Sequence, residues 1–524
     1  MKTTKKYLLT QSSLRAIIVV LLALGVFFRF VNLDQKAYWY DETFTSLQLS
    51  GYTAEEVTEQ IIDGREIGLE DLNKYQYPAP DSEKTVIDTI EGVAKIEPQL
   101  TPLYFVMVRY WVQWFGNSVA ITRSFSAVVS LLVFPCIYWL CLELFRSPLT
   151  GLIAMALMAV SPFHVLYAQE ARPYSLWTVT ILLSSASLLR AMRLQSIGSW
   201  IIYAGTVVLG LYSFLFSALV SIGHGIYILI TERFRLSKKL IAYLTTSLAG
   251  FLFFVPWIYI VSLKASKLAN KSQEPISLFG YIFKWVRSIS LFFADFSLNE
   301  SSPLVYLIPF SFVLLMVLAL VSYSIYFLFR NSPERVWLFV LTLIATPALA
   351  LILPDLIFGG QRSLVTRYLI PTFLGIQLAV AYLFATKLTP TASKLCSQKL
   401  WKGGIVVLIS IGVLSSVNIS QSEVWWNKAD DNIHHTLASI INQAKKPVVI
   451  SDDWFPNVLS FSHQLEPKVR FQLVIEPNIP EIGDDFSDVF LYKPSQNMKT
   501  ELSKKYTLKN INKTNQVWRI DKKQ

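Results

Sequence analysis

At 524 residues, 53% of them hydrophobic and only 16% charged, the chain falls well below the roughly 25% charged content of soluble proteins. With a mean hydropathy of +0.44 and apolar runs of membrane-spanning length throughout, this excludes a soluble enzyme, a disordered chain and a collagen-like fibre. The net charge of +11 does not point to nucleic acid, because residues 34–100 hold fifteen acidic against five basic residues while 101–420 hold 23 basic against eight acidic.

The first apolar window, 13–33, follows Lys2, Lys5, Lys6 and Arg15 and has no small-residue cleavage site before Arg29. It is expected to be an uncleaved first helix rather than a signal peptide. Just after it comes Tyr38-Trp39-Tyr40-Asp41-Glu42, opening an acidic segment over 34–116. A carboxylate held among aromatic rings at a membrane surface is partly desolvated and suits a general base. The alternative is that Asp41 only caps a helix starting at Glu42. Thr101 to Gly116 is apolar but short, with Arg109 and Gln113 on one helical face. It is expected to lie in the interface with Trp111 and Trp114 at headgroup depth, or to re-enter. A genuine span there would invert everything after it.

Ten further windows of spanning length follow, at 119–144, 149–167, 174–192, 198–214, 216–231, 240–262, 303–329, 335–356, 368–386 and 403–420. Cys136 and Cys141 share one of them and Cys396 lies in a basic loop, so no disulfide or metal site is expected. Joining 149–167 to 174–192 is Pro162-Phe163-His164 through Gln169-Glu170-Ala171-Arg172-Pro173-Tyr174. Ionisable groups at membrane depth are expensive and by default functional; the alternative is a Glu170–Arg172 ion pair that fixes the turn. Before 368–386 stands Gly359-Gly360-Gln361-Arg362 through Thr366-Arg367-Tyr368-Leu369-Ile370-Pro371. Two arginines at a helix entrance suit a lipid phosphate, or alternatively snorkel to anionic headgroups.

Residues 421–524 change character, with strand-like runs at 447–451, 469–474 and 488–492 that predict a small α/β domain. His164 lacks a ligand-spaced partner and is expected to be a satisfied interfacial histidine rather than a metal ligand, His224 falls within a span and is expected to pack or make a polar interhelical contact, and His434-His435 near Asp430-Asp431 is expected to be a solvated connector, the alternative being a metal-binding cluster. The division expected is therefore 1–33, a first membrane helix; 34–116, an acidic loop; 117–420, a membrane domain; and 421–524, the α/β domain.

Lysine and arginine set the orientation. With the N-terminus in the cytoplasm, the inner ends fall at Arg146, Arg190 and Arg193, Arg233 to Lys239, Arg330 and Arg335, and Lys387 to Lys402. Including the N-terminus these carry seventeen basic residues against Glu143, Glu232 and Glu334. Asp41, Glu170, Arg172, Arg362 and Arg367 then share the outer side. No phosphate-binding loop, dinucleotide fingerprint, zinc-protease motif or nucleophile elbow is present. A polytopic transporter or flippase is the rival from another class, but no repeat-related halves stand out. A scaffold acting through its tail is a second; it makes Asp41 dispensable.

In this order, Trp39-Tyr40-Asp41-Glu42, Thr101-Pro102-Leu103-Tyr104, Ala168 to Tyr174 and Arg367 to Pro371 resemble the polyprenyl-phosphate-sugar-dependent glycosyltransferases of the GT-C fold, of the protein-mannosyltransferase and aminoarabinose-transferase-like group. The resemblance implies an α-helical polytopic membrane protein of about 11–13 transmembrane helices with a small extracytoplasmic α/β domain at its C-terminus, in a bacterial plasma membrane. It implies a polyprenyl-phosphate-sugar donor, an extracytoplasmic acceptor and inversion, with Asp41 as the catalytic carboxylate. Arg172 and Arg367 are the candidates for the leaving phosphate, and Glu42, Glu97, Gln99, Tyr104, Glu170, Tyr174, Arg362 and Tyr368 for sugar, acceptor or carrier. Many relatives have two prolines before Leu-Tyr, whereas Thr101 stands here, so Glu97 or Gln99 is the candidate substitute for a polar contact at that point. Some GT-C enzymes use a divalent metal ion, Mg2+ or Mn2+, but Asp41-Glu42 alone makes no ligand set.

Overall fold

The structure, a computed structural model, describes residues 2–79, 83–269, 276–298, 302–389, 395–431, 434–483, 486–511 and 516–522. The side chains of 1–14, 264–269, 395–397, 429–431 and 522 lie outside the description, those of Cys396, Asp430 and Asp431 among them. The chain divides into two compact units: residues 1–33, 99–104 and 123–422, and residues 34–98, 105–122 and 423–524. The acidic loop and the tail, far apart in sequence, thus belong to one unit.

All eleven predicted windows of the first unit are helical. Among the described residues seven helices are long and apolar enough to cross a membrane, and Pro148–Ala159 with Pro162–Ala168, bent by 60°, makes an eighth if counted as one span. Ile197–Ser213 and Ser217–Thr231 are apolar but shorter. Leu103–Phe115 has 13 residues, a rise of only about 20 Å, so it falls short of a hydrocarbon core of about 30 Å. Helix Leu304–Asn331 leaves Leu304, Val305, Phe312 and Leu315 exposed, as a surface facing lipid requires.

The bend at Val160-Ser161 frees backbone groups that have no water to turn to, so they must be satisfied by protein. Arg29, at the end of helix Lys2–Phe30, donates to the carbonyls of Gly25, Met158 and Ala159. The Ser161 hydroxyl donates to Phe292 O at 2.8 Å. A Cβ on Gly25 would lie 2.7 Å from Ala159 O, so only glycine admits this approach.

Several helix ends that carry basic residues meet through polar and aromatic contacts. Arg193 pairs through two nitrogens with Glu143 at 2.9 and 3.0 Å. Tyr382 donates to Asn331 O and its ring stacks on Phe145, and the Lys387 ammonium lies 4.6 Å from the Phe327 ring. These ends are the ones placed together by charge. His224, as expected within a span, makes polar interhelical contacts, to Ser185 and Tyr203, each at 3.2 Å.

The second unit is built on a six-stranded sheet: β1 (Glu66–Gly68), β2 (Pro447–Ser451), β3 (Arg470–Leu473), β4 (Asp488–Tyr492), β5 (Tyr506–Asn510) and β6 (Val517–Lys522), in the order β1-β3-β2-β4-β6-β5. β2 runs parallel to β3 and β4, with helix Phe455–Ser462 between β2 and β3 in sequence. Every residue of β2 is buried, which is why this central strand shows as an uninterrupted apolar run. β1 comes from the acidic loop and pairs antiparallel with β3. One core joins Phe44, Leu47, Val57, Leu72 and Tyr75 of the loop to Leu437, Phe455, Leu459, Phe471 and Phe490 of the tail. Arg109 fastens the loop further, donating to Leu49 O, Thr89 Oγ1 and Lys84 O.

Candidate active site

In the second unit, helix Tyr40–Ser50 starts with Trp39 as its N-cap residue and stops at Gly51, whose left-handed φ of 80° returns its N–H to Gln48 and Leu47. Asp41 is therefore not the capping residue. It and Glu42 sit in the first helical turn, where negative charge complements the exposed N–H groups. Both are buried, at 6% and 0% exposure. Unsupported carboxylates rarely tolerate that. Glu42 accepts from Lys428 Nζ at 2.9 Å. Glu97 is half-buried and accepts from Gln48 Nε2 at 3.2 Å. Around the motif Trp39 meets Tyr40 at 5.0 Å, and Tyr40 and Phe44 meet Trp454 at 5.9 and 5.2 Å.

The first unit gathers a different set. Its turn Gln169 to Pro173 is held by Gln169 Nε2, which donates to Phe28 O and Val31 O, and by Arg172 N donating to Glu170 O. Glu170, Arg172 and Tyr174 are all buried. Tyr104 Oη bonds Ser126 Oγ at 2.8 Å, and Ser126 Oγ donates to Arg172 O at 3.3 Å, so Tyr104 and Arg172 are linked through one hydroxyl. The Arg367 guanidinium lies 5.6 Å from the Tyr174 ring and 5.8 Å from the Tyr368 ring. Phe214 touches Tyr174 and Tyr368. Three expected residues, Tyr174, Arg367 and Tyr368, thus form one cationic and aromatic cluster, while Tyr104 is tied through Ser126 to the main chain of Arg172.

Gln99 is half-buried and its Oε1 has no hydrogen-bond partner among the described residues. Arg362, in the short turn Arg362–Leu364, is exposed; the order of that turn comes from Asp355 Oδ2, which accepts from Ser363 N at 2.6 Å, and from Trp285 Nε1 donating to Ser363 Oγ.

Some expectations are corrected. His434 is not a solvated connector. It is buried in the tail core and its Nε2 bonds Tyr492 Oη at 2.7 Å. Burial, with Lys493 adding to it, pulls its imidazole down to about 3. His164 is buried between Phe163 and Phe292, and its Nε2 has no hydrogen-bond partner among the described residues. Lys428, Ser460 and Arg29 carry polar contacts that nothing in their sequence surroundings announces.

Among the described residues no group of three or more His, Cys, Asp or Glu side chains comes together to hold a metal ion. Glu42, next to Asp41, is already engaged by Lys428. Among the described residues, Asp41 therefore has no group of acidic or imidazole side chains beside it that would complete a ligand set for Mg2+ or Mn2+.

Comparison with known proteins agrees with this architecture. A family model described as dolichyl-phosphate-mannose-protein mannosyltransferase matches residues 98–260. ArnT from Cupriavidus metallidurans in the apo state is similar over 97% of this chain and 98% of its own, at 12% identity and a TM-score of 0.54. ArnT from the same organism bound to undecaprenyl phosphate is similar over 96% and 98%, at 12% identity and a TM-score of 0.52. No curated protein sequence matches. The chain has the GT-C fold of these membrane glycosyltransferases, and its residues 98–260 match the protein-mannosyltransferase family model.

Proposed function

We propose that the protein is an inverting glycosyltransferase that moves a sugar from a polyprenyl-phosphate carrier to an extracytoplasmic protein, lipid or glycan, with Asp41 as its base. The observation that carries this reading is the position of Asp41: a buried carboxylate in the first turn of a helix set in aromatic rings, in a chain with the fold of ArnT. The fold match to an ArnT structure bound to undecaprenyl phosphate supports a polyprenyl carrier. The distribution of lysine and arginine supports the extracytoplasmic side.

In the reaction, an acceptor hydroxyl attacks the anomeric carbon as Asp41 takes its proton. The bond from that carbon to the phosphate oxygen breaks, its electron pair leaves with the polyprenyl phosphate, and the configuration inverts. A phosphate leaving group needs charge stabilisation more than a general acid. Arg172 and Arg367 are assigned to that role, with Tyr174 and Tyr368 as the rings that orient Arg367. Gln99, Glu97 and Glu170 remain assigned to sugar or acceptor.

The test uses full-length protein in lipid nanodiscs, with lipid-linked sugars extracted from cell membranes and an envelope fraction as acceptor. Release of polyprenyl phosphate is followed by mass spectrometry. Asp41→Asn is expected to lower turnover by about 10²–10⁴-fold with an unchanged melting temperature. Wild-type turnover in that variant would falsify the catalytic assignment. Mass comparison of glycans and glycolipids between wild-type and deletion cells identifies sugar and acceptor.

A further inference from the structure

The second acid of the motif is held by an ion pair inside the fold. The Glu42 side chain is fully buried and that of Lys428 is 2% exposed, and they pair at 2.9 Å. Charges at such depth are tolerated only when paired and hydrogen-bonded. Lys428 meets that requirement with a second bond, from Nζ to Ala37 O at 3.0 Å. One ammonium therefore bridges the main chain before the helix and a side chain in its first turn, spanning the stretch that contains Asp41. Two more bonds act on the same stretch: Ala37 N donates to Glu423 O at 2.9 Å, and Ser460 Oγ donates to Tyr38 O at 2.6 Å. Consecutive helical residues project about 100° apart, so anchoring Glu42 sets the direction in which Asp41 points.

We propose that Glu42 and Lys428 are a positioning pair for Asp41, and that Glu423, Lys428 and Ser460 of the tail serve the catalytic machinery through it. This rests on the reading of Asp41 as the base, and it replaces the assignment of Glu42 to sugar binding. The pair makes no bond to the reacting atoms. It fixes the segment 37–42 so that the neighbouring carboxylate meets the acceptor hydroxyl in register, where an error of about 1 Å costs roughly 10²-fold in rate.

The experiment compares wild type, Lys428→Met, Lys428→Arg, Glu42→Gln and the double variant Glu42→Gln/Lys428→Met, all full-length in nanodiscs. Turnover is read as polyprenyl phosphate released from the extracted membrane lipids, and melting temperature is read in parallel. Lys428→Met is expected to lower kcat about 100-fold while the KM for the lipid pool stays within a few-fold. Lys428→Arg should retain most of the rate. The double variant should recover at least about tenfold over Lys428→Met, because no uncompensated charge is left buried. Wild-type kcat in Lys428→Met, a double variant no better than the single one, or a Glu42→Gln whose change is confined to KM would each overturn the proposal. If Lys428→Met does not fold, Glu42→Gln and Lys428→Arg decide the matter: a kcat loss in Glu42→Gln with most of the rate kept in Lys428→Arg supports the pair, and a Glu42→Gln change confined to KM overturns it. Melting temperatures distinguish the two levels. If they show coupling between positions 42 and 428 while the wild type releases no polyprenyl phosphate, the glycosyltransfer reading has failed and the positioning role goes with it, leaving a structural strut.

Discussion

Arg29 reaches across 130 residues of sequence to Ala159, donating to its carbonyl oxygen at 3.0 Å where helix Pro148–Ala159 stops. The same guanidinium holds Met158 O at 3.0 Å and lies 5.0 Å from the Phe134 ring. It thereby satisfies helix-terminal carbonyls that water does not reach. Arg29→Met should destabilise the membrane unit by on the order of 3 kcal/mol, since buried acceptors lose a charged donor. Arg29→Lys should recover only part of this, because a single ammonium lacks the planar fork. Thermal denaturation in detergent checks both; equal melting temperatures for wild type and Arg29→Met would remove the capping role.

Arg367 sits against two aromatic faces, Tyr174 and Tyr368. If it stabilises the departing phosphate, Arg367→Ala should lower kcat/KM by about 10²–10³-fold. Arg367→Lys keeps the charge but loses planar stacking and bidentate geometry, so it should fall between. Unaltered kinetic constants in Arg367→Ala would take this residue out of the site.

Acid should weaken the tail unit through His434. Its imidazole protonates near 6.5 in an unfolded chain but only near 3 when folded. The unfolded state therefore binds the extra proton first, and the stabilisation present above about pH 6.5 is lost as the pH falls towards 3. The slope is up to about 1.4 kcal/mol per pH unit. Urea unfolding at pH 7 and pH 5, followed by tryptophan fluorescence, should show the decline, and His434→Phe should flatten it.

Sidedness is open to direct chemistry. Arg65 and Lys238 are both exposed. In a Cys396→Ser background, Arg65→Cys should react with an impermeant maleimide on intact cells, and Lys238→Cys only after permeabilisation. Labelling in the opposite order would invert the assignment of the outer side.

The membrane helices were legible because length and hydropathy alone identify them, and loop charge supplied an alternation that the contacts of Arg193 with Glu143 and of Tyr382 with Asn331 respect. β2, β3 and β4 were legible as apolar runs. β1 was not: in Glu66-Ile67-Gly68 only one bulky apolar residue marks the strand, and its partner lies some 400 residues away. Arg367 and Tyr368 stand out by residue type at a helix entrance, but the link of Tyr104 through Ser126 to the main chain of Arg172 does not, since a single serine in an apolar helix carries no signal. Asp41 and Glu42 stand out as adjacent acids in an aromatic segment, but the ion pair that holds Glu42 leaves no mark there. Only a fully buried Lys428 reveals its part, and lysine is the residue least expected to be buried.

The pairing of β1 with β3 bears on biogenesis. The acidic loop is made about 400 residues before the strand it must join, which at about 5–20 residues per second is a wait of roughly 20–80 s. Throughout that interval the membrane helices are being inserted while Phe44, Leu47 and Leu72 lack the tail half of their core. The segment bearing Asp41 is therefore among the last parts of the protein to become ordered, and a ribosome that stalls before residue 470 leaves membrane helices in place with the sheet of the second unit unfinished.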